Sequence, residues 1–259
     1  MTAGSLRLGV VSDLHYTPHP SPDLSYHGPF DVPAVLHRLA DALDWFASEH
    51  ADLLVVAGDL AQDGDPGSLL TVLRAVAEGW TGPVLAVPGN HDQLLGENEL
   101  VHAVRKLADP RVDAPSFEGR SFGGVRLASL NGVTRGGPPA TWGEDCVVLV
   151  SHFPVLSRAE AFAERGLLYA GDLPGIRQLT ETLIARAAPT VVVNGHLHAR
   201  DTHREGNVLQ LTVAPLVEAP FEATLIDIVA RATHVTVNRH VRGLGPGAGA
   251  ATELVRLGR

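Results

Sequence analysis

Asp13 and His15 stand two positions apart at the end of the apolar run Leu8-Gly9-Val10-Val11-Ser12, and four later apolar runs end in the same kinds of residue. The run 53–58 leads into Asp59, and 84–89 delivers Asn90, His91 and Asp92. The run 147–151 delivers His152, and 191–195 delivers His196 and His198. Carboxylate and imidazole suit Zn, Fe and Mn, and the absence of paired cysteines argues against a thiolate site. One such end means little, because Asp and Asn are common in turns. Five ends carrying only such types point to one site, built from five strand tips, that holds two metal ions. Asp13, His15, Asp59, Asn90, His152, His196 and His198 provide the number and types of ligand that two ions sharing a carboxylate require.

Elements of a particular kind must position these residues. Short β-branched runs read as buried strands, and ligands gather at strand ends in sheet proteins. Helices are expected at about 32–50, where Val35, Leu36, Leu39, Leu43 and Phe46 form one apolar face, and near 68–78 and 97–107. Strand alternating with helix is the pattern of parallel βαβ units. The second half is richer in strands, at 126–130, 146–150, 190–193, 202–204, 207–213, 223–229 and 234–241, with helices near 158–164 and 174–187. Glu205-Gly206 marks a hairpin turn. No linker or repeat divides the chain, so a single α/β domain with two sheets is expected over 1–242. The Gly/Ala-rich stretch from 243 predicts a flexible tail over 243–259.

The 259 residues allow a substantial core, and 45% hydrophobic with 19% charged residues is ordinary for a soluble globule. A formal charge of −9 argues against general nucleic-acid or membrane-surface binding, which needs a basic footprint. It leaves a nucleotide substrate open, because bound cations would reverse the sign inside a pocket. Cys146 is the only cysteine, so no intrachain disulfide is possible, and it reads as a small core residue. No secretory signal or membrane-length apolar run is visible, and a cytoplasmic protein is the expectation.

Taken in order, Asp13-Leu14-His15, Gly58-Asp59, Gly89-Asn90-His91-Asp92, His152 and Gly195-His196-Leu197-His198 resemble the five motif blocks of the calcineurin-like metallophosphoesterases. The resemblance covers about 6–200. It implies a two-sheet β-sandwich flanked by helices in four αββα layers. It implies that Asp13, His15 and His198 bind one metal, that Asn90, His152 and His196 bind the other, and that Asp59 bridges. The metals implied are divalent or trivalent Mn, Fe or Zn. His91 is implied as a catalytic histidine that is not itself a ligand, oriented by Asp92. The implied reaction is attack on phosphorus by hydroxide held between the metals, with His91 assisting the leaving oxygen.

Within that family, 58–64 is most similar to the class III cyclic nucleotide phosphodiesterases, which implies a small phosphodiester substrate such as a cyclic nucleotide. The chain departs from purple acid phosphatases, which place a Tyr shortly after the bridging Asp; Ala61, Gln62 and Asp63 stand there. A phosphomonoesterase or nucleotide pyrophosphatase with the same site is the alternative. A non-catalytic scaffold is more remote, since every ligand and His91 are present. The Pro-rich loop 16–33, with His19 and His27, is the expected substrate selector. Arg135, Arg158 and Arg200 are candidate phosphate clamps, with solvated surface arginine the blander reading of each. Tyr26, Trp142, Phe153 and Tyr169 are candidate base-stacking residues, with loop packing the blander reading of each. The remaining histidines, His37, His50, His102, His203, His234 and His240, read as surface or hydrogen-bonded side chains.

Overall fold

Two mixed sheets lie face to face in the computed structural model, which describes residues 4–94, 97–113, 120–122, 125–130, 146–186, 188–231, 234–247 and 249–258. The strands are β1 (Gly4–Val11), β2 (Leu53–Ala57), β3 (Val84–Val87), β4 (Gln93–Leu94), β5 (Glu97–Asn98), β6 (Val112–Asp113), β7 (Arg120–Phe122) and β8 (Val125–Ser129). They continue as β9 (Val147–Val150), β10 (Thr190–Asn194), β11 (Asp201–Glu205), β12 (Val208–Thr212), β13 (Glu222–Ala230), β14 (His234–Gly243) and β15 (Ala250–Gly258). The helices are α1 (Val32–Ser48), α2 (Pro66–Gly79), α3 (Glu99–Leu107), α4 (Ala159–Glu164) and α5 (Ile176–Ala185).

The first sheet has the order β15-β14-β13-β1-β2-β3-β6, and the second β11-β12-β10-β9-β8-β7. In the first, β1, β2, β3 and β6 run parallel. In the second, β8, β9, β10 and β12 run parallel. The parallel strands are buried on both faces, which is why they read as continuous apolar runs rather than alternating ones. Leu8 and Val10 of β1 meet Val148 and Val150 of β9 and Val191 and Val193 of β10 in the layer between the sheets. Val35, Leu39, Leu43 and Phe46 of α1, with Leu69 and Leu73 of α2, cover the outer face of the first sheet. Leu179 and Leu183 of α5 cover Leu149 and Val192 on the second. This is the four-layer α/β sandwich.

Helix starts follow local chemistry. Asp65 caps α2 by accepting the Ser68 N–H at 2.7 Å, and Pro66 stands in its first turn, where a missing N–H costs nothing. The second-sheet hairpin turns at Gly206, with φ +55°, joining β11 to β12.

The tail differs from expectation. Residues 250–258 form β15, an edge strand paired antiparallel to β14 throughout. Leu257 is buried, Val255 packs on the intersheet layer, and Glu253 bonds Arg239 and Thr202. An alternating pattern with a carboxylate on its inner face hides behind the Gly/Ala-rich lead-in. The loop 131–145, with Arg135, Gly136-Gly137-Pro138-Pro139 and Trp142, lies outside the described residues. Among the described residues no helix is long and apolar enough to cross a membrane.

Candidate metal centre

The seven candidate ligands and His91 converge just beyond the carboxyl ends of β1, β2, β3, β9 and β10. Parallel strands align these ends at one edge of each sheet, the place where α/β folds bind ligands. The pairing of β1 with β2 continues into the tips: Asp13 N–H donates to the Gly58 carbonyl at 3.1 Å, and His15 N–H to that of Asp59 at 2.9 Å. Asp13, His15, Asp59, His196 and His198 all lie in the left-handed region, with φ of 53°, 46°, 51°, 69° and 49°. They are five of the eight non-glycine residues there among those described, so the strain is concentrated at this edge. Each such residue costs on the order of 1–3 kcal/mol, and residues held this way gather at functional sites.

Two glycines allow close approach at these tips, Gly195 between the two sheets and Gly89 between neighbouring strand ends of the first sheet. A Cβ on Gly195 would lie 1.8 Å from Ser12 Oγ and 2.7 Å from Asp13 Oδ2, and one on Gly89 would lie 2.0 Å from Asp59 Oδ1.

The cluster has two halves. In one, His198 Nε2 lies 3.4 Å from Asp13 Oδ1 and 3.2 Å from His15 Nε2, which is itself 3.5 Å from Asp59 Oδ2. In the other, His152 Nε2 lies 3.2 Å from Asp59 Oδ2, from Asn90 Oδ1 and from His196 Nδ1. Asp59 Oδ2 therefore faces an imidazole of each half, while Oδ1 accepts the His91 N–H at 2.8 Å.

Outer hydrogen bonds decide which ring edges face inward. His15 Nδ1 is 2.8 Å from Gln62 Oε1, His198 Nδ1 is 2.5 Å from Glu218 Oε1, and His152 Nδ1 is 2.9 Å from the Ala57 carbonyl. Each partner accepts, so each Nδ1 carries a proton, and in their neutral form the rings would aim bare Nε2 lone pairs at carboxylate and amide oxygens. His196 Nε2 is buried with no partner among the described residues. A crowd of acceptors with no donor between them fits a cation, and the carboxylate–imidazole donor set suits divalent transition metals.

The metal-free protein relieves this crowding by protonation. Burial pushes the His198 imidazole down, but Asp13 and Glu218 outweigh it and raise it to about 10. Burial likewise opposes His152, and Asp59 outweighs it, to about 9. Burial lowers His15 and His196 to about 4. Burial works to raise Asp13 and Asp59, yet the imidazoles of His198 and His152 respectively hold both carboxyls below the usual range.

Asp92 does not orient His91. Its buried carboxylate accepts the N–H groups of Ala61 at 3.0 Å and Gly89 at 2.8 Å, bracing the two loops behind the site. Burial, with Asp59 nearby, raises it to about 7. His91 is instead held by the Gln62 carbonyl, 2.7 Å from Nδ1. Gln62, Glu218 and Phe30 are site residues that the motif blocks leave out. Glu218 ends an apolar run, 213–217, just as the five tips do, and that is the signal that marks it. Phe30 stacks on His198, with ring centres 5.6 Å apart.

The remaining candidates divide. Tyr26 lines a cavity of about 140 Å³ over the centre, with Leu24, Ser25, Phe30, Gln62 and Ala170. His27 bonds the Leu197 carbonyl at 3.0 Å, whereas His19 is exposed. Phe153 packs on His196, ring centres 4.6 Å apart, and Tyr169 on Phe162. Arg158 pairs with Asp201 at 2.6 Å and Arg200 with Glu222 at 3.1 Å.

Residues 6–200 match the family model described as calcineurin-like phosphoesterase. The chain belongs to that family. This calcineurin-like phosphoesterase is 26% identical, over 204 residues, to a Synechococcus protein named a probable cyclic nucleotide phosphodiesterase, covering 76% of this chain and 74% of that one. Its fold is similar to that of a Danio rerio dimetal phosphatase, at TM-score 0.66 and 14% identity over 98% of each chain. It is also similar to TT1561 of Thermus thermophilus, at TM-score 0.53 and 15% identity over 85% of this chain and 93% of that one. The metallophosphoesterase fold and the ligand-type clusters thus agree from independent directions.

Proposed function

We propose that the protein hydrolyses a small phosphodiester, such as a cyclic nucleotide, at two metal ions. The observation carrying this reading is the convergence of outward-braced imidazoles on both sides of Asp59 Oδ2. Asp13, His15 and His198 would hold one ion, Asn90, His152 and His196 the other, with Asp59 between them. Two bound cations would supply the charge that polarises the phosphoryl group and acidifies an attacking water. The ester P–O bond breaks as the water oxygen bonds to phosphorus. His91, which lines the cavity with its Nδ1–H committed to the Gln62 carbonyl, would act as the imidazolium, passing its Nε2 proton to the departing oxygen and ending as the neutral ring. Asp92 keeps the loops of Asp59 and Asn90 in register.

Charge supports the diester. No Lys or Arg lines the cavity among the described residues, and Arg158 and Arg200 are committed to carboxylates. A monoester dianion would gain more from such cations than a diester monoanion. The name of the Synechococcus relative agrees. Comparing kcat/KM for bis-p-nitrophenyl phosphate, 2′,3′- and 3′,5′-cyclic nucleotides and p-nitrophenyl phosphate at matched metal tests this. A diester should lead the monoester by more than about tenfold, some 1.4 kcal/mol at the transition state. A monoester lead of that size would replace this reading with a phosphatase.

Metal uptake should also release protons. At neutral pH His152 and His198, at about 9 and 10, carry protons on Nε2 in the metal-free protein. Those protons must leave when Nε2 becomes a ligand, so about two should be released per chain. The number should fall toward zero as pH rises past both values. Calorimetry in buffers of different ionisation enthalpy measures it; uptake with no release at neutral pH would mean that both rings are already neutral in the metal-free protein.

A further inference from the structure

Glu218 is fully buried, and its carboxylate serves two parts of the chain at once. Oε1 lies 2.5 Å from His198 Nδ1 and 3.4 Å from the His27 backbone nitrogen, and Oε2 accepts the Gly28 N–H at 2.5 Å. The neighbouring Val217 carbonyl accepts the Asp31 N–H at 2.7 Å. The segment 24–31 thus rests on Glu218 and Val217 by its backbone, and on the centre by its rings. Tyr26 lies 5.0 Å from the His198 ring, Phe30 stacks on that ring, and Phe30 is also 5.0 Å from His15. Tyr26 lines the cavity, and its Oη is buried with no partner among the described residues.

A buried carboxylate cannot turn to water when one partner is lost. The rotation that satisfies Gly28 and His27 also sets the direction from which Oε1 meets Nδ1. If the segment lifts, the carboxylate loses two N–H donors and the His198 ring loses both its aromatic cover and its fixed edge. We propose that Glu218 is a positioning residue that makes seating of the 24–30 segment and orientation of His198 one structural event. Metal binding at the centre then orders the wall that meets substrate. The inference rests on the reading of His198 as a metal ligand. A cation on Nε2 polarises the ring and strengthens its Nδ1–H bond to Glu218. By reciprocity, whatever tightens His198 tightens the segment by the same factor.

The test uses the whole chain, stripped with chelator and titrated with Mn²⁺ or Zn²⁺, with amide hydrogen exchange followed across 26–28. In the unaltered protein, saturating metal should slow exchange at the His27 and Gly28 amides. In Glu218→Ala, metal affinity should fall roughly 10–100-fold, and saturating metal should no longer change exchange there. Glu218→Gln keeps the side-chain shape and should show both effects in smaller degree, so it carries the test if the alanine variant does not fold. Unchanged affinity in both variants would overturn the proposal, leaving Glu218 as a loop anchor. So would metal-dependent protection that survives in both. Failure of the unaltered protein to bind metal would sink the reading of the centre itself, a result distinct from either.

Discussion

Asp59→Asn should leave a folded chain that has lost most of its affinity for both metal ions. Oδ2 is the one oxygen facing imidazoles of both halves, 3.5 Å from His15 and 3.2 Å from His152. The asparagine keeps the shape, and its carbonyl can still accept the His91 N–H that Asp59 Oδ1 accepts. What disappears is the negative charge between two sites. The loss should exceed the roughly 10–100-fold that follows removal of an outer hydrogen bond to a ligand, because on the proposed assignment Asp59 touches both ions directly. Elemental analysis after dialysis, with circular dichroism as the folding control, measures this. Two ions per chain and full turnover in the variant would remove Asp59 from the bridge. One ion per unaltered chain under saturating metal would remove the pair.

His91→Ala should do the reverse, keeping metal and losing turnover by roughly 10²–10⁴-fold, the span for a positioned acid or base. His91 is within reach of Asp59 and His15, and a ligand atom of each lies within 4.8 Å of one from His91. A role as a ligand therefore makes a competing prediction, loss of metal, which the same analysis would detect. Leaving groups separate the remaining possibilities. p-Nitrophenolate needs little protonation, so its esters should suffer less than alkyl or nucleoside esters. Equal losses on both would assign His91 to stabilising charge on phosphorus rather than to proton transfer.

The strand tips were legible because parallel strands buried on both faces give unbroken apolar runs whose ends stand out. Val147–Val150 and Thr190–Asn194 are short, β-branched and followed at once by His152 and His196. The hydrogen bonds behind the ligands were not legible, because tertiary packing chooses them. Asp92 follows His91 in sequence, yet the turn sends its carboxylate to Ala61 and Gly89 and the ring to the Gln62 carbonyl. Glu218 reaches His198 across twenty residues that carry no motif. β15 escaped notice for a related reason: Glu253 breaks its apolar face, and only the folded chain supplies Arg239 and Thr202 to meet it.

The meeting of Asp13 with His198 and His196 joins positions about 183 residues apart, one from each sheet. A cation gripped there would act as a rivet through the sandwich, closing a loop of nearly the whole central chain. Long closures of this kind restrict the unfolded ensemble most, which is the usual account of how a cystine stabilises. With Cys146 as its only thiol, the chain has no sulfur pair for that purpose. Its catalytic ions would then double as fasteners, and resistance to unfolding would track metal supply as closely as turnover does.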